Sequence, residues 1–227
     1  ELIPYFRETN FKTMKVIITG ATGMVGEGVM LVCLQHPAIE KVLSISRKPC
    51  GWHHAKLQEL LVPDFARLAD YQHQLTGYDA CFFCAGVSSV GMTEETFTKA
   101  TYEVVVPFAT TLAEINSNLV FIYVSGAGTD GTEKGTTMWA RVKGRTENAL
   151  NKLPFRAQYN FRPGFMKPMP GQKNLKRMYR VMAVLAPLFM VLLPRWSSTL
   201  REVGLAMIAC VTHGPAGAVV EVGDIKK

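Results

Sequence analysis

A glycine-spaced segment near the start of the chain has the residue types and spacing to hold an anionic ligand. Residues 16–19 read VIIT, residues 20–26 read GATGMVG, and residues 29–32 continue as an apolar helical run. Glycine lets the backbone approach an anion closely, and the following helix directs unpaired N–H groups and its positive end toward it. This order is typical of dinucleotide-binding domains and less so of an ordinary tight turn. The predicted contacts are Gly20, Thr22, Gly23, Met24 and Val25.

A basic pair follows the second strand-like run. Residues 44–49 read SISRKP, so Arg47 and Lys48 stand where NAD-selective sites carry an acidic residue that binds the ribose hydroxyls. An arginine at this place pairs instead with a 2′-phosphate. The pair therefore favours NADP over NAD; the alternative interpretation is an ordinary exposed basic turn.

Residues that follow other predicted strands complete the expected cofactor contacts. Asp64 and Phe65 are predicted to contact adenine through a hydrogen bond and ring packing. Cys84, Ala85 and Gly86 are small enough for the backbone to pass close to a ribose. All five lie where a parallel sheet presents the carboxyl ends of its strands, the edge at which such sheets bind ligands.

Three further residues form a second group at the same edge. Ser125 ends the fifth predicted strand and brings a hydroxyl to this edge. Trp139 and Lys143 stand four residues apart on a predicted helix, so they share one helical face.

Strand-like and helix-like runs alternate along the chain. The predicted strands span residues 15–19, 41–46, 57–62, 80–84, 120–125, 157–162 and 218–222, and the predicted helices span 25–35, 65–71, 93–115, 137–151 and 198–212. The alternation predicts parallel βαβ units, and the nearly uniform apolarity of several strands indicates helices on both faces. The predicted fold class is α/β: a Rossmann-like, doubly wound, mainly parallel sheet with a small C-terminal substrate or lid region.

The length of the chain favours a single NAD(P)-binding Rossmann domain over residues 14–227, with residues 166–198 as its substrate or lid insertion. Residues 1–13 are interpreted as an N-terminal extension, because Met14 directly precedes the first predicted strand.

One apolar run lies within the predicted insertion. Residues 181–193 are uninterruptedly apolar and contain Pro187, and the run is too short to span a bilayer comfortably. A basic flank precedes it. Two interpretations remain open: a buried lid or substrate-domain helix, and a weak contact of residues 178–194 with a membrane surface or a hydrophobic substrate.

The composition restricts the class of protein. Of 227 residues, 48% are hydrophobic and 19% charged, which is typical of a globular chain. The net charge of +7 favours an anionic partner; a phosphate-rich cofactor fits, and no nucleic-acid-binding module is recognisable. Five cysteines, an odd number, favour a reducing compartment, and we expect the cytoplasm. The five histidines lack metal-ligand spacing, so no metal is predicted.

Together these motifs resemble the short-chain dehydrogenase/reductase superfamily, specifically its atypical, extended branch. That branch includes NAD(P)-dependent epimerase/dehydratase-like and Tat-interacting oxidoreductase-like proteins. The similarity extends over residues 15–225. It rests on TGATGMVG at 19–26, the basic end of the second strand, CAG at 84–86, Ser125, WARVK at 139–143 and RPG at 162–164.

The resemblance implies roles for the second group of residues. In that family a tyrosine exchanges a proton with the substrate oxygen, a lysine four residues later binds the nicotinamide ribose and lowers the tyrosine pKa, and a serine orients the substrate oxygen. Ser125 and Lys143 match, but Trp139 stands at the tyrosine position, and an indole N–H does not release its proton near neutral pH. Trp139 is interpreted as an aromatic wall beside the nicotinamide or substrate, and Tyr102 is the weaker alternative as a proton donor.

The resemblance further places Pro163 and Gly164 beneath the nicotinamide and Phe165 beside the substrate. It implies an NADP-binding oxidoreductase-like protein that reduces a carbonyl or oxidises an alcohol on a small molecule, and it leaves oligomer formation open. The alternative is a non-catalytic, NADP-responsive binding or regulatory protein, because Trp139 replaces the expected tyrosine.

Overall fold

The computed structural model describes residues 13–175, 190, 192–214 and 217–227. Nearly all of the predicted N-terminal extension and most of the apolar run at 181–193 therefore lie outside the described residues. Of that run, Met190, Leu192 and Leu193 are described; Met190 is partly exposed and the two leucines are exposed.

Seven of the described strands form one parallel sheet in the order β3-β2-β1-β4-β5-β6-β9. The nine strands among the described residues are β1 (Met14–Thr19), β2 (Ile39–Ser46), β3 (Leu57–Leu61), β4 (Ala80–Phe83), β5 (Val120–Val124), β6 (Ala157–Arg162), β7 (Phe165–Lys167), β8 (Ser197–Thr199) and β9 (Val219–Glu221). β1 pairs with β2 on one side and with β4 on the other, with Ile17 opposite Leu43 and Cys81, and the chain order reverses between β1 and β4. This reversal is the place where open parallel sheets bind ligands.

Helices cover both faces of this sheet. The described α-helices are α1 (Met24–Gln35), α2 (Gln72–Leu75), α3 (Glu94–Ala100), α4 (Tyr102–Ile115), α5 (Met138–Leu150), α6 (Leu200–Thr212) and α7 (Val222–Ile225), with 3-10 helices at Phe65–Tyr71 and Pro194–Trp196. Val16 and Ile18 pack with Val29 of α1 and Val203 of α6, whereas Ile17 packs on the opposite face with α4 and α5. The prediction of a Rossmann-like sheet covered on both faces is confirmed.

Residues 65–71 form the predicted helical segment, as a 3-10 helix. Two other predictions of local structure were wrong. The helix expected over residues 93–115 is broken at Thr101, whose φ of −121° and ψ of −75° are not helical. The helix expected from residue 198 begins at Leu200, because Ser197–Thr199 pairs with Phe165–Lys167 in a separate two-stranded parallel sheet.

Candidate functional site

The turn between β1 and α1 places the backbone where a pyrophosphate would bind. Gly20 has a φ of +77°, and a Cβ there would lie 2.7 Å from the Ala85 backbone nitrogen. A Cβ on Gly26 would lie 2.3 Å from the Gly20 oxygen. Glycine is therefore required at both positions for the turn, the end of β4 and the first turn of α1 to pack together.

The start of α1 leaves donors for an anion. The helix follows Gly23, which has no side chain to accept from the N–H groups of the first turn. Thr22 is exposed, and Gly23, Met24 and Val25 are partly exposed. The residues present thus fit a dinucleotide pyrophosphate at the positive end of α1.

A buried carboxylate that the sequence analysis did not single out lies beside this turn. Glu27 is fully buried in the first turns of α1. It accepts hydrogen bonds from the Trp52 indole at 2.8 Å and from the backbone nitrogens of Lys173 and Asn174 at 2.6 and 2.8 Å. Glu27 thereby ties residues 173–174 and the loop after β2 to the glycine turn. The feature of the sequence that could have identified Glu27 is the presence of an acidic residue inside an otherwise apolar helical run.

The two basic residues after β2 are exposed and available. Among the described residues, Arg47 and Lys48 form no ion pair and their side chains make no hydrogen bond. Asp64 accepts from the Ala66 nitrogen at 2.9 Å and caps the 3-10 helix, and the Phe65 ring packs 5.3 Å from that of Phe108. Both therefore have a local structural role, and adenine contact stays a prediction.

Lys143 is fixed at the carboxyl end of β5. Its ammonium group donates to the backbone carbonyl of Ser125 and lies 5.9 Å from the Trp139 ring centroid. Burial lowers the pKa of Lys143, and the nearby Glu147 carboxylate opposes that effect. The predicted proximity of Trp139 and Lys143 on one face of α5 is present in the structure.

Ser125 does not present its hydroxyl as expected. The side chain is 3% exposed, and its oxygen donates to Glu147 Oε1 at 2.5 Å, with the Phe161 carbonyl at 3.2 Å. A Cβ on the next residue, Gly126, would lie 3.8 Å from Lys143 Nζ. The substrate-orienting role of Ser125 stays a prediction. This geometry does not favour it, because the Ser125 hydroxyl is bonded to Glu147 and the residue whose Cβ position faces Lys143 is Gly126, which has no side chain.

Neither tyrosine near the site replaces the missing hydroxyl. Tyr102 lies 4.4 Å from the guanidinium of Arg145. Residues 143 and 145 project about 200° apart on a helix, so Tyr102 packs on the face of α5 away from Lys143. Tyr123 is 2% exposed in the core, and burial raises its pKa. The alternative of Tyr102 as a proton donor is not supported by this geometry.

The segment after β6 lies between the loop that follows Ser125 and Trp196. Gly164 packs so tightly that a Cβ would lie 2.0 Å from the Trp196 carbonyl oxygen, and the Ala127 nitrogen donates to the Pro163 carbonyl at 3.0 Å. Phe165, at the start of β7, is partly exposed. Pro163 thus lies next to the loop that follows Ser125, with Gly164 and Phe165 directly after it in the chain. Cys84 and Ala85 lie next to Gly20, and Gly86 follows them.

The model of the NAD dependent epimerase/dehydratase family matches residues 16–153, which is more than half of the chain. The chain belongs to this family. Membership gives it an oxidoreductase-like role with a nicotinamide dinucleotide as cofactor, and it agrees with the short-chain dehydrogenase/reductase resemblance of the sequence motifs.

Curated relatives of this family member are fungal proteins. The chain is 29% identical over 143 residues to leucinostatins biosynthesis cluster protein T of Purpureocillium lilacinum, covering 62% of this chain and 52% of that protein. It is 28% identical over 169 residues to the mitochondrial protein fmp52 of Aspergillus clavatus, covering 71% of this chain and 69% of the relative. The chain thus spans about half the length of the first relative and about two thirds of the second.

Solved structures share the fold at low identity. The Helicobacter pylori ADP-L-glycero-D-manno-heptose-6-epimerase has a TM-score of 0.67 at 16% identity, covering 95% of this chain and 80% of the epimerase. The Bordetella bronchiseptica enzyme WbmF, solved in complex with NAD+, has a TM-score of 0.65 at 13% identity, covering 95% and 77%. These similarities show the fold.

The comparisons also correct the expected location. Relatives at 25–28% identity are named mitochondrial proteins, so the cytoplasmic expectation is wrong on this finding. Free cysteines report a reducing environment but not which compartment provides it. Within the ranges that the structure covers, no helix combines the length and apolarity needed to cross a bilayer.

Proposed function

We propose that this family member binds NADP and transfers hydride between the nicotinamide and a carbonyl or alcohol of a small molecule. The observation that carries the proposal is the fixed position of the Lys143 ammonium at the carboxyl end of β5, at the same edge of the parallel sheet as the glycine turn after β1. A nicotinamide cofactor would supply the hydride. Lys143 would hold the nicotinamide ribose, and the N–H groups at the start of α1 would hold the pyrophosphate.

The preference for NADP rests on charge. Arg47 and Lys48 are exposed at the end of β2, and neither charge is neutralised by an acidic partner among the described residues. A 2′-phosphate at this position would gain charge-assisted hydrogen bonds from the Arg47 guanidinium. The ribose hydroxyls of NAD would instead require an acceptor, and Arg47 and Lys48 carry donors only.

Proton transfer is the step at which Trp139 matters. A positioned general acid contributes about 10²- to 10⁴-fold in rate. Trp139 offers an N–H that does not ionise near neutral pH, whereas Lys143 carries a labile proton whose pKa burial lowers. We therefore propose slow carbonyl reduction, with the Lys143 ammonium as the proton source nearest the Trp139 ring.

The experiment that tests this function is turnover with a panel of aldehydes and ketones. Purified protein and NADPH are incubated with each carbonyl compound, and NADPH oxidation is followed by absorbance. Lys143→Met serves as the control, since it keeps a long apolar stem without the ammonium group. Carbonyl-dependent oxidation that this variant loses supports the proposal; the absence of oxidation with any carbonyl, despite NADPH binding, contradicts it.

A second candidate function is a non-catalytic protein that responds to NADP. The specific observation in its favour is that Trp139, whose indole does not ionise near neutral pH, stands one turn before Lys143 with its ring 5.9 Å from the ammonium group. In this alternative, binding of the dinucleotide changes the conformation or the partners of the protein, and no hydride is transferred. Binding of NADPH without any carbonyl-dependent oxidation would favour it over the catalytic proposal.

We also propose a mitochondrial location, supported by the names of the fungal relatives. The test is fractionation of cells that express the full-length protein with a C-terminal tag. Enrichment with a mitochondrial marker supports the proposal, and recovery in the soluble fraction without that marker contradicts it.

A further inference from the structure

A buried carboxylate on α5 joins several parts of the site. Glu147 is 2% exposed and lies one helical turn after Lys143. Its Oε1 accepts from Ser125 Oγ at 2.5 Å and from Arg162 Nε at 3.1 Å, and its Oε2 accepts from Arg162 Nη2 at 2.6 Å. Both carboxylate oxygens are thus satisfied by groups from the ends of β5 and β6.

Ser125 is held from two sides by residues of α5. Its hydroxyl donates to Glu147, and its carbonyl accepts from the Lys143 ammonium. Residues 143 and 147 are four apart and lie on one face of the helix. A shift of the Ser125 backbone would therefore move the acceptor that fixes the Lys143 ammonium.

Arg162, the last residue of β6, connects Glu147 to the segment that follows β6. Its guanidinium forms two hydrogen bonds to Glu147 and a longer contact of 3.3 Å to Glu221, which is half exposed. Hydrogen bonding to the Glu147 carboxylate raises the pKa of Arg162, and an arginine guanidinium keeps its charge in proteins. The two residues after Arg162 are Pro163 and Gly164, which the resemblance of the sequence motifs places beneath the nicotinamide.

We propose that Glu147 is a positioning residue for the cofactor site: through the Ser125 hydroxyl and Arg162 it fixes the carbonyl that holds Lys143 and the segment that meets the nicotinamide. The inference rests on the proposed function. It also assigns the Ser125 hydroxyl to this internal link, and not to the substrate oxygen.

A purely structural role for Glu147 makes different predictions. A buried ion pair often contributes little net stability compared with apolar residues, while removal of one partner leaves the other charge uncompensated. If the pair only stabilised the fold, its loss would lower the fraction of folded protein and leave the folded molecules with normal affinity. If it positions the site, the folded molecules themselves bind the cofactor more weakly.

The test is calorimetric titration with NADPH, which measures the number of sites and the dissociation constant separately. The variants are Glu147→Gln, Ser125→Ala and their combination. Glu221→Gln is the matched control, because it removes the other carboxylate from the same arginine without touching Ser125. Thermal unfolding of each variant is recorded in parallel.

We expect Glu147→Gln to raise the dissociation constant for NADPH by about tenfold or more, with a stoichiometry near one. Ser125→Ala removes one hydrogen bond and should raise it by about 3- to 10-fold. Because both act through one link, the double variant should resemble Glu147→Gln alone and not the product of the two effects. Glu221→Gln should stay within about twofold of the wild type.

Each failure is distinguishable. A wild-type protein that does not bind NADPH overturns the proposed function. Wild-type binding with an unchanged dissociation constant in Glu147→Gln, or with only a lower stoichiometry, overturns the positioning role. Should Glu147→Gln fail to fold, Ser125→Ala decides: an unchanged affinity with a loss confined to turnover would return its hydroxyl to the substrate and overturn the inference.

Discussion

The Trp139 ring lies 5.9 Å from the Lys143 ammonium, one turn earlier on the same face of α5. In the resembled dehydrogenases a tyrosine precedes the lysine by four residues and supplies the proton. Here the lysine is present and fixed, and the ionisable hydroxyl is not. A substitution at residue 139 can therefore change the chemistry while the lysine and the glycine turn that would hold the cofactor stay in place.

Trp139→Tyr tests whether the missing hydroxyl limits the chemistry. We expect carbonyl reduction with NADPH to rise by about 10²-fold or more, since a phenol beside the Lys143 ammonium is a general acid that an indole is not. The measurement is the initial rate of NADPH oxidation. Trp139→Phe is the matched control, because it introduces a ring of similar size without the hydroxyl. Equal rates in the Trp139→Tyr and Trp139→Phe variants would show that the missing hydroxyl does not limit turnover.

Gly23→Ala separates the fold from the binding of the dinucleotide. A Cβ on Gly23 would meet only the Gly20 oxygen, at an ordinary contact distance of 3.5 Å, so the unfolding free energy should change by less than about 1 kcal/mol. The methyl group would stand where the pyrophosphate approaches, and the NADPH dissociation constant should rise at least about tenfold.

Gly20→Ala is the contrasting variant. Gly20 has a φ of +77°, and a Cβ at this position would lie only 2.7 Å from the Ala85 backbone nitrogen, so a methyl group does not fit. We expect a loss of about 2 kcal/mol or more in denaturant unfolding. Normal NADPH affinity in Gly23→Ala would mean that the anion does not bind at this turn.

Arg47→Ala tests the selectivity for the 2′-phosphate. We expect the affinity for NADPH to fall by about 10- to 100-fold, as one charge-assisted bidentate contact is lost, and the affinity for NADH to change little. The readout is the ratio of the two dissociation constants at fixed ionic strength. Arg67→Ala, an exposed arginine paired with Asp70, is the control. A parallel loss for both nucleotides would contradict a role in selectivity.

Alkaline pH should destabilise the protein through its buried thiols. Burial raises the pKa of Cys50 and Cys210 to about 11 and that of Cys84 to about 12. The unfolded chain loses these protons near the ordinary thiol pKa, so between about pH 9 and 11 the folded state binds more protons and its stability falls as pH rises. The lowered pKa of Lys143 acts in the opposite direction.

Urea unfolding at several pH values checks this expectation. The unfolding free energy should fall by about 1–3 kcal/mol between pH 8.5 and 10.5. Cys210→Ala should reduce this dependence on pH while remaining folded at neutral pH. A free energy that rises with pH would show that Lys143, not the thiols, dominates the alkaline behaviour.

The sheet was predictable because its signal is local. Runs such as VIIT at 16–19 and VFIYV at 120–124 are apolar on both faces, and their alternation with helical runs fixes a parallel order. The pairing of Ser197–Thr199 with Phe165–Lys167 was missed, because it joins two three-residue segments about 30 residues apart. Short strands of polar and mixed residues carry no periodic signal.

The candidate site was predictable in its backbone more than in its side chains. The glycine turn, Trp139 and Lys143 follow from spacing along one element. The direction of the Ser125 hydroxyl and the burial of Glu147 depend on how β5, α5 and β6 meet, and no spacing in the sequence encodes that contact. From the sequence alone, Glu147 and Glu27 cannot be distinguished from ordinary glutamates of a helix, because their hydrogen-bond partners lie on other elements.

The central claim is that the glycine turn at the start of α1 and the lysine on α5 hold a nicotinamide dinucleotide, with NADP preferred. Calorimetric titration of the wild-type protein with NADPH and, separately, with NADH tests it most directly. The account predicts saturable binding of one NADPH per chain, with an affinity at least about tenfold greater than that for NADH. Absence of binding to either nucleotide would contradict the claim, and equal affinity for both would contradict the assigned role of Arg47 and Lys48.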